Sequence, residues 1–321
     1  MAAKPPLLPS LQLSPSTHDL PNQPAAAQTP WRRSGVGAST ESKTHDNSDA
    51  GARPSGLAAW LTGVQRSQSG ASLWNKVPIV TLGFWLIKIM STTVGETGAD
   101  YLAINAGFGK GVTSGAMATF LLIALFMQVR SERYTPWLYW LTVILVSVVG
   151  TQITDLLTDG LGVSLYVSTA VFAALLAGIF AAWYRIEGTL SILSIDTRRR
   201  ELWYWTVILF TFALGTAAGD LATEALGLGF RLGTIVFAVV IGLIALARAF
   251  GANAVLAFWL AYILTRPLGA ALGDLLSQAK TYGGVGLGPM HTSVIFLSII
   301  AVLVGVSQRN ASRPAVAGLS K

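Results

Sequence analysis

The sequence predicts an all-α integral membrane protein with eight transmembrane helices, arranged as four tandem two-helix repeats with both termini in the cytoplasm. Apolar residues make up 52% of the chain and charged residues only 12%, whereas ordinary soluble domains contain about 25% charged residues. Several segments stay nearly free of charge for about 20 residues, the length that a helix needs to cross the hydrocarbon layer. A pattern of Trp, Gly and Asp also recurs four times at one spacing, which indicates duplicated structural units.

The repeated pattern consists of a Trp, a Gly ten residues later and an Asp five residues after that. The residues between these positions differ from copy to copy, but the spacing does not. A constant spacing with variable intervening residues is typical of a tandem repeat. The four copies are Trp85, Gly95 and Asp100; Trp140, Gly150 and Asp155; Trp205, Gly215 and Asp220; and Trp259, Gly269 and Asp274.

In chain order, residues 1–75 come first and are rich in Pro, Ala, Ser, Gln and Gly. Such a composition cannot bury enough apolar surface to offset the entropy of ordering, so we predict a disordered cytoplasmic tail. The repeats are predicted at residues 76–131, 132–186, 187–250 and 251–308, and a second cytoplasmic tail at 309–321. The first helices are predicted at about 79–102, 137–158, 202–223 and 254–277, and the second helices at about 113–130, 163–184, 232–249 and 290–308.

The Lys and Arg residues near the helix ends predict the orientation in the membrane. On the side that contains the repeated aspartates lie Lys110, Arg231 and Lys280. Because cytoplasmic loops carry the excess of Lys and Arg, the opposite side is predicted to be cytoplasmic and the aspartates to face outward. That opposite side has Lys76, Arg130, Arg133, Arg185, Arg198, Arg199, Arg200, Arg248, Arg309 and Arg313.

The position of each repeated residue along its helix predicts its depth. The aspartates follow the tryptophans by roughly 22 Å at 1.5 Å per residue, so they fall in the outer third of a hydrocarbon layer about 30 Å thick. The glycines then lie near the middle. The tryptophans stand near the helix starts beside other aromatic residues, as in the aromatic belt of a membrane interface. The predicted interface anchors are Trp85, Trp140, Trp205 and Trp259.

A small residue four positions after each repeated Gly predicts close contacts between the first helices. Two small residues one helical turn apart let helix backbones approach each other. Such contacts would pack the four first helices centrally and turn their carboxylates toward a shared cavity. The small residues after the glycines are Ala99, Thr154, Gly219 and Gly273. The predicted packing residues are Gly95, Gly150, Gly215, Gly269, Gly219 and Gly273.

The aspartates and their neighbours form the predicted ion site. In three copies a second carboxylate lies one turn away, and paired carboxylates repel unless they share a proton or a cation. With hydroxyl groups from the second helices they make an all-oxygen site, which suits Mn²⁺, Mg²⁺ or Ca²⁺, or a proton relay. Alternatively, each Asp only ends its helix near the outer interface. The predicted ion-binding residues are Asp100, Asp155, Asp220, Asp274, Glu96, Glu224, Asp159 and Arg266, and the hydroxyl residues are Ser114, Thr169, Thr234 and Thr292.

Two cations interrupt the apolar spans, and neither recurs in the other copies. Lys88 lies three residues after Trp85, and Arg266 directly precedes Pro267. Each is able to pair with a carboxylate, and Lys88 is also able to extend its charge to the cytoplasmic interface. We interpret Lys88 as structural and keep Arg266 among the predicted ion-binding residues.

The segments KVPIVTLGFWLIKI and TTVGETGADYLA, together with the four two-helix units that each contain a Trp, resemble a bacterial family of membrane-anchored proteins. That family is defined by a repeat of unknown function. The resemblance extends from about Lys76 to Arg309 and implies the four-repeat membrane fold without a settled activity. The segment from Glu96 to Asp100 is also similar to the Glu-x-Gly-Asp motif of cation exporters, with one additional residue.

These observations favour a secondary transporter in the bacterial inner membrane. It would move a small cation, such as divalent manganese, with proton coupling through intramembrane carboxylates. The alternative is a non-transporting membrane scaffold or regulatory protein. An enzyme is not expected, because the sequence has no Ser-His-Asp set, phosphate-binding loop or HExxH helix.

The expected partners are the lipid bilayer and the transported cation, with no cofactor and no nucleic acid. The formal charge of +7 is not concentrated in a basic helix, so we interpret it as a signal of orientation rather than of nucleic-acid binding. The chain has no Cys, which excludes disulfides and thiolate metal ligands.

Overall fold

The computed structural model describes residues 75–102 and 110–311. The predicted tails therefore lie outside the described residues, apart from residue 75 and residues 309–311, as does most of the first connection between helices. Within the described ranges the prediction of an all-α chain with eight helices is confirmed. The helices are α1 (Leu82–Asp100), α2 (Lys110–Arg130), α3 (Pro136–Asp155), α4 (Leu165–Glu187), α5 (Arg198–Asp220), α6 (Gly229–Ala249), α7 (Ala254–Ser277) and α8 (Pro289–Ala311).

Seven of these helices, α2 to α8, are long and apolar enough to cross a membrane. Helix α1 is more polar, because its 19 residues include Lys88, Glu96 and Asp100. Lys88 is 0% exposed and Glu96 is 7% exposed, so their charged groups lie inside the protein and not on the lipid-facing surface. The chain is thus a multi-pass membrane protein in which the first helix has an unusually polar buried face.

The helices form an inner and an outer ring. The four first helices of the repeats contact one another in a closed cycle, in which α1 and α5 each pack against both α3 and α7. We call α1, α3, α5 and α7 the inner helices, and the other four the outer helices. Between 56% and 67% of the spanning window is buried in α3, α5 and α7, against 6% to 22% in the outer helices. The outer helices therefore present most of their apolar side chains to the lipid bilayer.

Each outer helix packs mainly against the inner helix of the following repeat. Thus α2 packs on α3, α4 on α5 and α6 on α7. The last outer helix, α8, packs on α1, so the fourth repeat closes the cycle onto the first. The two helices of one repeat are neighbours in sequence, but their main packing partners belong to adjacent repeats.

The repeated glycines lie where adjacent inner helices approach most closely. A Cβ atom added to Gly150 would lie 2.6 Å from the Cβ of Phe212 on α5, and one added to Gly215 would lie 2.5 Å from the Cβ of Arg266 on α7. Gly95 faces Ser147 on α3, and Gly269 faces Thr92 on α1, with the same lack of space. In every case the partner is the residue three positions before the Gly of the next repeat, so one contact is used four times around the ring.

Gly219 and Gly273 lie at the same contacts, one turn further along their helices. An added Cβ would lie 3.3 Å from the Cβ of Pro267 at Gly219, and 3.2 Å from the Cγ2 of Thr97 at Gly273. Small residues at both positions thus allow the inner helices to pack with their backbones close together.

The repeated tryptophans lie inside the bundle, which differs from the prediction that they are anchors at the membrane interface. Their exposed fractions are between 3% and 8%. They pack edge-on against other aromatic rings, and the Nε1 of Trp259 donates to the carbonyl of Leu190 at 2.9 Å. The reason is that ring closure directs this position of each inner helix toward its neighbours. We call the aromatic layer the set Trp85, Trp140, Trp205, Trp259, Tyr139, Tyr204 and Tyr262.

Candidate functional site

The repeated aspartates lie together at the end of the inner ring opposite the aromatic layer. Asp100, Asp155 and Asp220 are the last residues of α1, α3 and α5, and Asp274 lies three residues before the end of α7. Immediately after the first three, the helices continue with π-helical hydrogen bonding, at Tyr101, at Leu156–Gly160 and at Leu221–Ala225. Such π turns are rare and frequently occur at functional sites.

Three carboxylates from two neighbouring inner helices form the most compact acidic group. One oxygen atom each from Glu96, Asp100 and Asp274 lies within 4.8 Å of the others. Glu96 and Asp100 are one turn apart on α1, and Asp274 is on α7, which packs against α1. Glu96 and Asp274 are 7% and 9% exposed. We call these three residues the acidic group.

Arg266, on α7, forms hydrogen bonds with two other inner helices, α1 and α3. Its side chain is 0% exposed, and its Nη2 lies 2.7 Å from Glu96 Oε2. The guanidinium also donates to the carbonyl of Thr92 on α1 at 3.3 Å and to the hydroxyl of Thr151 on α3. Its Nε has no hydrogen-bond partner among the described residues. Arg266 is thus a fully buried cation that faces Glu96.

The remaining predicted carboxylates surround the acidic group. Asp155 interacts electrostatically with Glu96 and Asp100, and Asp220 interacts with Glu96 and Asp274. Because α1 and α5 stand on opposite sides of the ring, the interaction of Asp220 with Glu96 extends across the ring. Asp159 and Glu224 lie on the π turns and are exposed, and Glu224 interacts with both Asp159 and Glu96. All seven carboxylates thus share what we call the acidic end of the bundle.

Two of the predicted hydroxyl groups form hydrogen bonds within their own helices. Thr234 and Thr292 donate to carbonyls of their own helices, those of Phe230 and Gly288. The outer helix α8 is joined to α1 by Ser293, whose Oγ lies 2.7 Å from Thr97 Oγ1.

Sequence reasoning missed Thr92, Thr97, Thr151 and Ser293 as residues near the site. One feature of the sequence could have indicated the contact between Thr92 and Arg266. Thr92 and Arg266 occupy equivalent positions, three residues before the repeated Gly. That position always faces an adjacent inner helix, so a charged residue there is directed into the ring.

Lys88 is buried between the acidic end and the aromatic layer and does not extend to an interface. Its Nζ lies 4.0 Å from the ring centroid of Phe212 and 4.2 Å from that of Tyr262. It has no hydrogen-bond partner among the described residues. Stacking between two aromatic faces stabilises an ammonium group by cation–π attraction. Of the alternatives for Lys88, extension to the cytoplasmic interface is excluded, because its side chain is 0% exposed.

The donor set of the acidic end determines its chemistry. Carboxylate and hydroxyl oxygens are the ligands of hard cations such as Mg²⁺, Mn²⁺ and Ca²⁺, and carboxylates inside a membrane protein also exchange protons. The closest three carboxylates come from different parts of the chain, the first and the fourth repeat. The arrangement of these three carboxyl groups is compact enough to hold one metal ion.

Comparison with known proteins identifies the repeats. The model of a family described as "Repeat of Unknown Function (DUF347)" matches four consecutive segments, residues 83–134, 138–189, 203–251 and 257–311. No curated protein and no solved structure matches the chain significantly. The four segments include the inner and outer helices of all four repeats and cover more than half of the chain, and the protein therefore belongs to the DUF347 repeat family.

Proposed function

We propose that the protein is a secondary transporter of a small divalent cation, such as Mn²⁺, that exchanges the cation for protons across a bacterial inner membrane. The main support is the acidic group, in which one oxygen of each of Glu96, Asp100 and Asp274 lies within 4.8 Å of the others. Three like charges at this distance repel strongly in a medium of low dielectric constant. A bound cation or bound protons remove that repulsion.

Proton coupling follows from the chemistry of the ligands. The oxygens that bind a cation are the same oxygens that bind protons, so a carboxylate must lose its proton before it coordinates the metal. Cation binding and proton release therefore compete at the same atoms. The architecture agrees with this role, because transporters commonly place their sites between internal repeats within the membrane.

The orientation is part of the proposal. The excess of Lys and Arg at the end of the aromatic layer favours both termini in the cytoplasm, so the acidic end faces outward. Reporter fusions at Thr189, between α4 and α5, are expected to report a cytoplasmic location. Fusions at Gly284, between α7 and α8, are expected to report an external one. The opposite pattern would reverse the proposed direction of access.

The test of transport uses the full chain in proteoliposomes with an imposed pH gradient. Uptake of Mn²⁺ is measured for the parent, for Asp100→Asn and Asp274→Asn, and for Glu132→Gln, an exposed carboxylate at the other end of α2. Loss of a charged ligand is expected to reduce uptake at least about tenfold, since Asn retains the size of Asp but not its charge. The Glu132 variant is expected to match the parent.

A folded Asp100→Asn and a folded Asp274→Asn that both take up Mn²⁺ like the parent would contradict the transport proposal. The amount of folded protein is measured by size-exclusion chromatography in detergent for each variant. That result would favour the alternative of a non-transporting scaffold or regulatory protein, in which the carboxylates only end and pack the inner helices.

A further inference from the structure

We propose that Arg266 is a tethered competitor of the transported cation. Its guanidinium pairs with Glu96 when the acidic group is empty and is displaced from Glu96 when a divalent cation binds. This inference rests on the proposed function, because it concerns access to the same carboxylates. It adds a residue that sets the affinity and the charge selectivity of the site.

Glu96 belongs to both arrangements at once. Its Oε2 lies 2.7 Å from Arg266 Nη2, and one of its oxygens lies within 4.8 Å of oxygens of Asp100 and Asp274. A carboxylate that is already paired with a guanidinium binds a metal ion less strongly. A cation entering the acidic group must therefore weaken the pair between Arg266 and Glu96.

Packing contacts hold the aliphatic part of the Arg266 side chain in place. Its guanidinium does not use all of its hydrogen-bond donors. A guanidinium has five N–H donors, of which Nη1 and Nη2 together make the bonds to Thr92, Thr151 and Glu96. Nε has no partner among the described residues. The Cβ and Cγ pack so closely on α5 that an added Cβ at Gly215 would lie 2.5 Å from each. Movement is thus confined to the outer torsions, which carry the charge.

Two departures from the fourfold pattern coincide at this place. The residue three positions before the repeated Gly is Thr92, Ser147 or Phe212 in the first three repeats and Arg266 in the fourth. Within residues 75–102 and 110–311, the acidic group of α1 and α7 is also the one set of three carboxylates close enough to hold a metal ion. Arg266 and the acidic group thus meet at the contact of α1 with α7.

The charges of this arrangement favour a divalent ion. When all three carboxyl groups have lost their protons, they and the guanidinium carry a net charge of −2, which a divalent cation neutralises. Electrostatic attraction is proportional to the charge of the ion, so a monovalent ion gains little by replacing a guanidinium of equal charge. The electrostatic attraction of a divalent ion to the carboxylates is twice that of a monovalent ion at the same distance. Arg266 therefore excludes Na⁺ and K⁺ more effectively than the carboxylates do alone.

The experiment measures Mn²⁺ binding to the detergent-purified full chain by calorimetry, with and without an excess of Na⁺. Arg266→Gln removes the competitor, so Mn²⁺ is expected to bind at least about tenfold more tightly, and Na⁺ is expected to compete where it does not in the parent. Arg266→Lys keeps a charge but lacks the planar fork that pairs with a carboxylate. A smaller increase in Mn²⁺ affinity is expected for it.

The controls separate the failure of this inference from that of the proposed function. Arg266→Gln leaves Glu96 without its partner, so folding is checked by thermal melting, and Arg266→Lys gives the answer if the Gln variant does not fold. If the parent binds Mn²⁺ and Asp274→Asn does not, the cation site is supported. If, in addition, neither Arg266 variant binds Mn²⁺ more tightly than the parent, the role of Arg266 as a competitor is overturned. Absence of Mn²⁺ binding in the parent and in both variants overturns both.

Discussion

The aromatic layer and the acidic end are built from the same four inner helices, yet their charged groups are arranged differently. At the end of the bundle that contains the aromatic layer, Glu201 is 1% exposed. Both of its carboxylate oxygens accept hydrogen bonds, from Lys76 Nζ at 2.8 Å and from Gln128 Nε2 at 3.1 Å. The acidic end contains seven carboxylates and the pair of Arg266 with Glu96. The first arrangement pairs one carboxylate with one cation within the protein, and the second places several carboxyl groups around one buried guanidinium.

The packing of the two ends differs in the same sense. Tyr139 and Tyr204 are 0% exposed, and their hydroxyl groups lie 2.5 Å apart. At the acidic end α3 and α5 continue beyond their aspartates as π turns that carry Asp159 and Glu224. One end is closed by aromatic rings packed edge-on or tilted, and the other brings carboxyl groups together, two of them on irregular helix turns. Buried rings and a buried ion pair thus stabilise one end, and the oxygen atoms that could bind a cation lie at the other.

The largest predicted effect comes from breaking the buried ion pair of Lys76 and Glu201, at the end of the bundle that contains the aromatic layer. Glu201→Gln leaves Lys76, which is 6% exposed, as a buried cation without its carboxylate. Breaking a buried ion pair in this way costs about 3–5 kcal/mol of unfolding free energy. We expect a lower melting temperature in detergent, measured by tryptophan fluorescence. A variant that melts with the parent would show that the pair does not stabilise this end.

A smaller effect is predicted at the contacts that hold the two ends in one ring. Gly150→Ala places a Cβ 2.6 Å from the Cβ of Phe212, so α3 and α5 must move apart, at a cost of about 1–3 kcal/mol. The matched control is Gly178→Ala on the outer helix α4, where nothing lies within 4 Å of an added Cβ. That control is expected to keep or raise the melting temperature, since Ala favours helix more than Gly. Equal melting of both variants would contradict a close contact at Gly150.

The smallest predicted effect has the opposite sign. Asp220→Asn replaces a largely buried carboxyl group that faces other carboxyl groups, among them Glu96 and Glu224. Without added divalent cation the variant is expected to gain about 1 kcal/mol of unfolding free energy, because an amide avoids the cost of burying a carboxylate and the repulsion from its neighbours. The change from carboxylate to amide is the same as in Glu201→Gln, so the two melting curves compare the ends directly. A loss of stability as large as that of the Glu201 variant would remove the distinction between them.

Much of the architecture is predictable from the sequence because it depends on local periodicity. The structure has α7 at Ala254–Ser277, the range that the sequence predicts. Apolar length indicates each helix, and the recurrence of Gly and Asp at one spacing indicates which residues share a level along the four inner helices. The presence of all four aspartates at one end follows directly, since equal spacing from equal helix starts leads to equal depth.

Long-range pairing is what the sequence does not determine. Arg266 and Glu96 are 170 residues apart, and they meet because α8 packs on α1 and closes the cycle of repeats. The same closure buries the four tryptophans and places Lys88 between Phe212 and Tyr262. Spacing along one helix identifies the faces that are buried and the levels at which charges lie. It does not specify which helices become neighbours, because that depends on how all eight pack together, and only the tertiary structure decides which charge finds a partner.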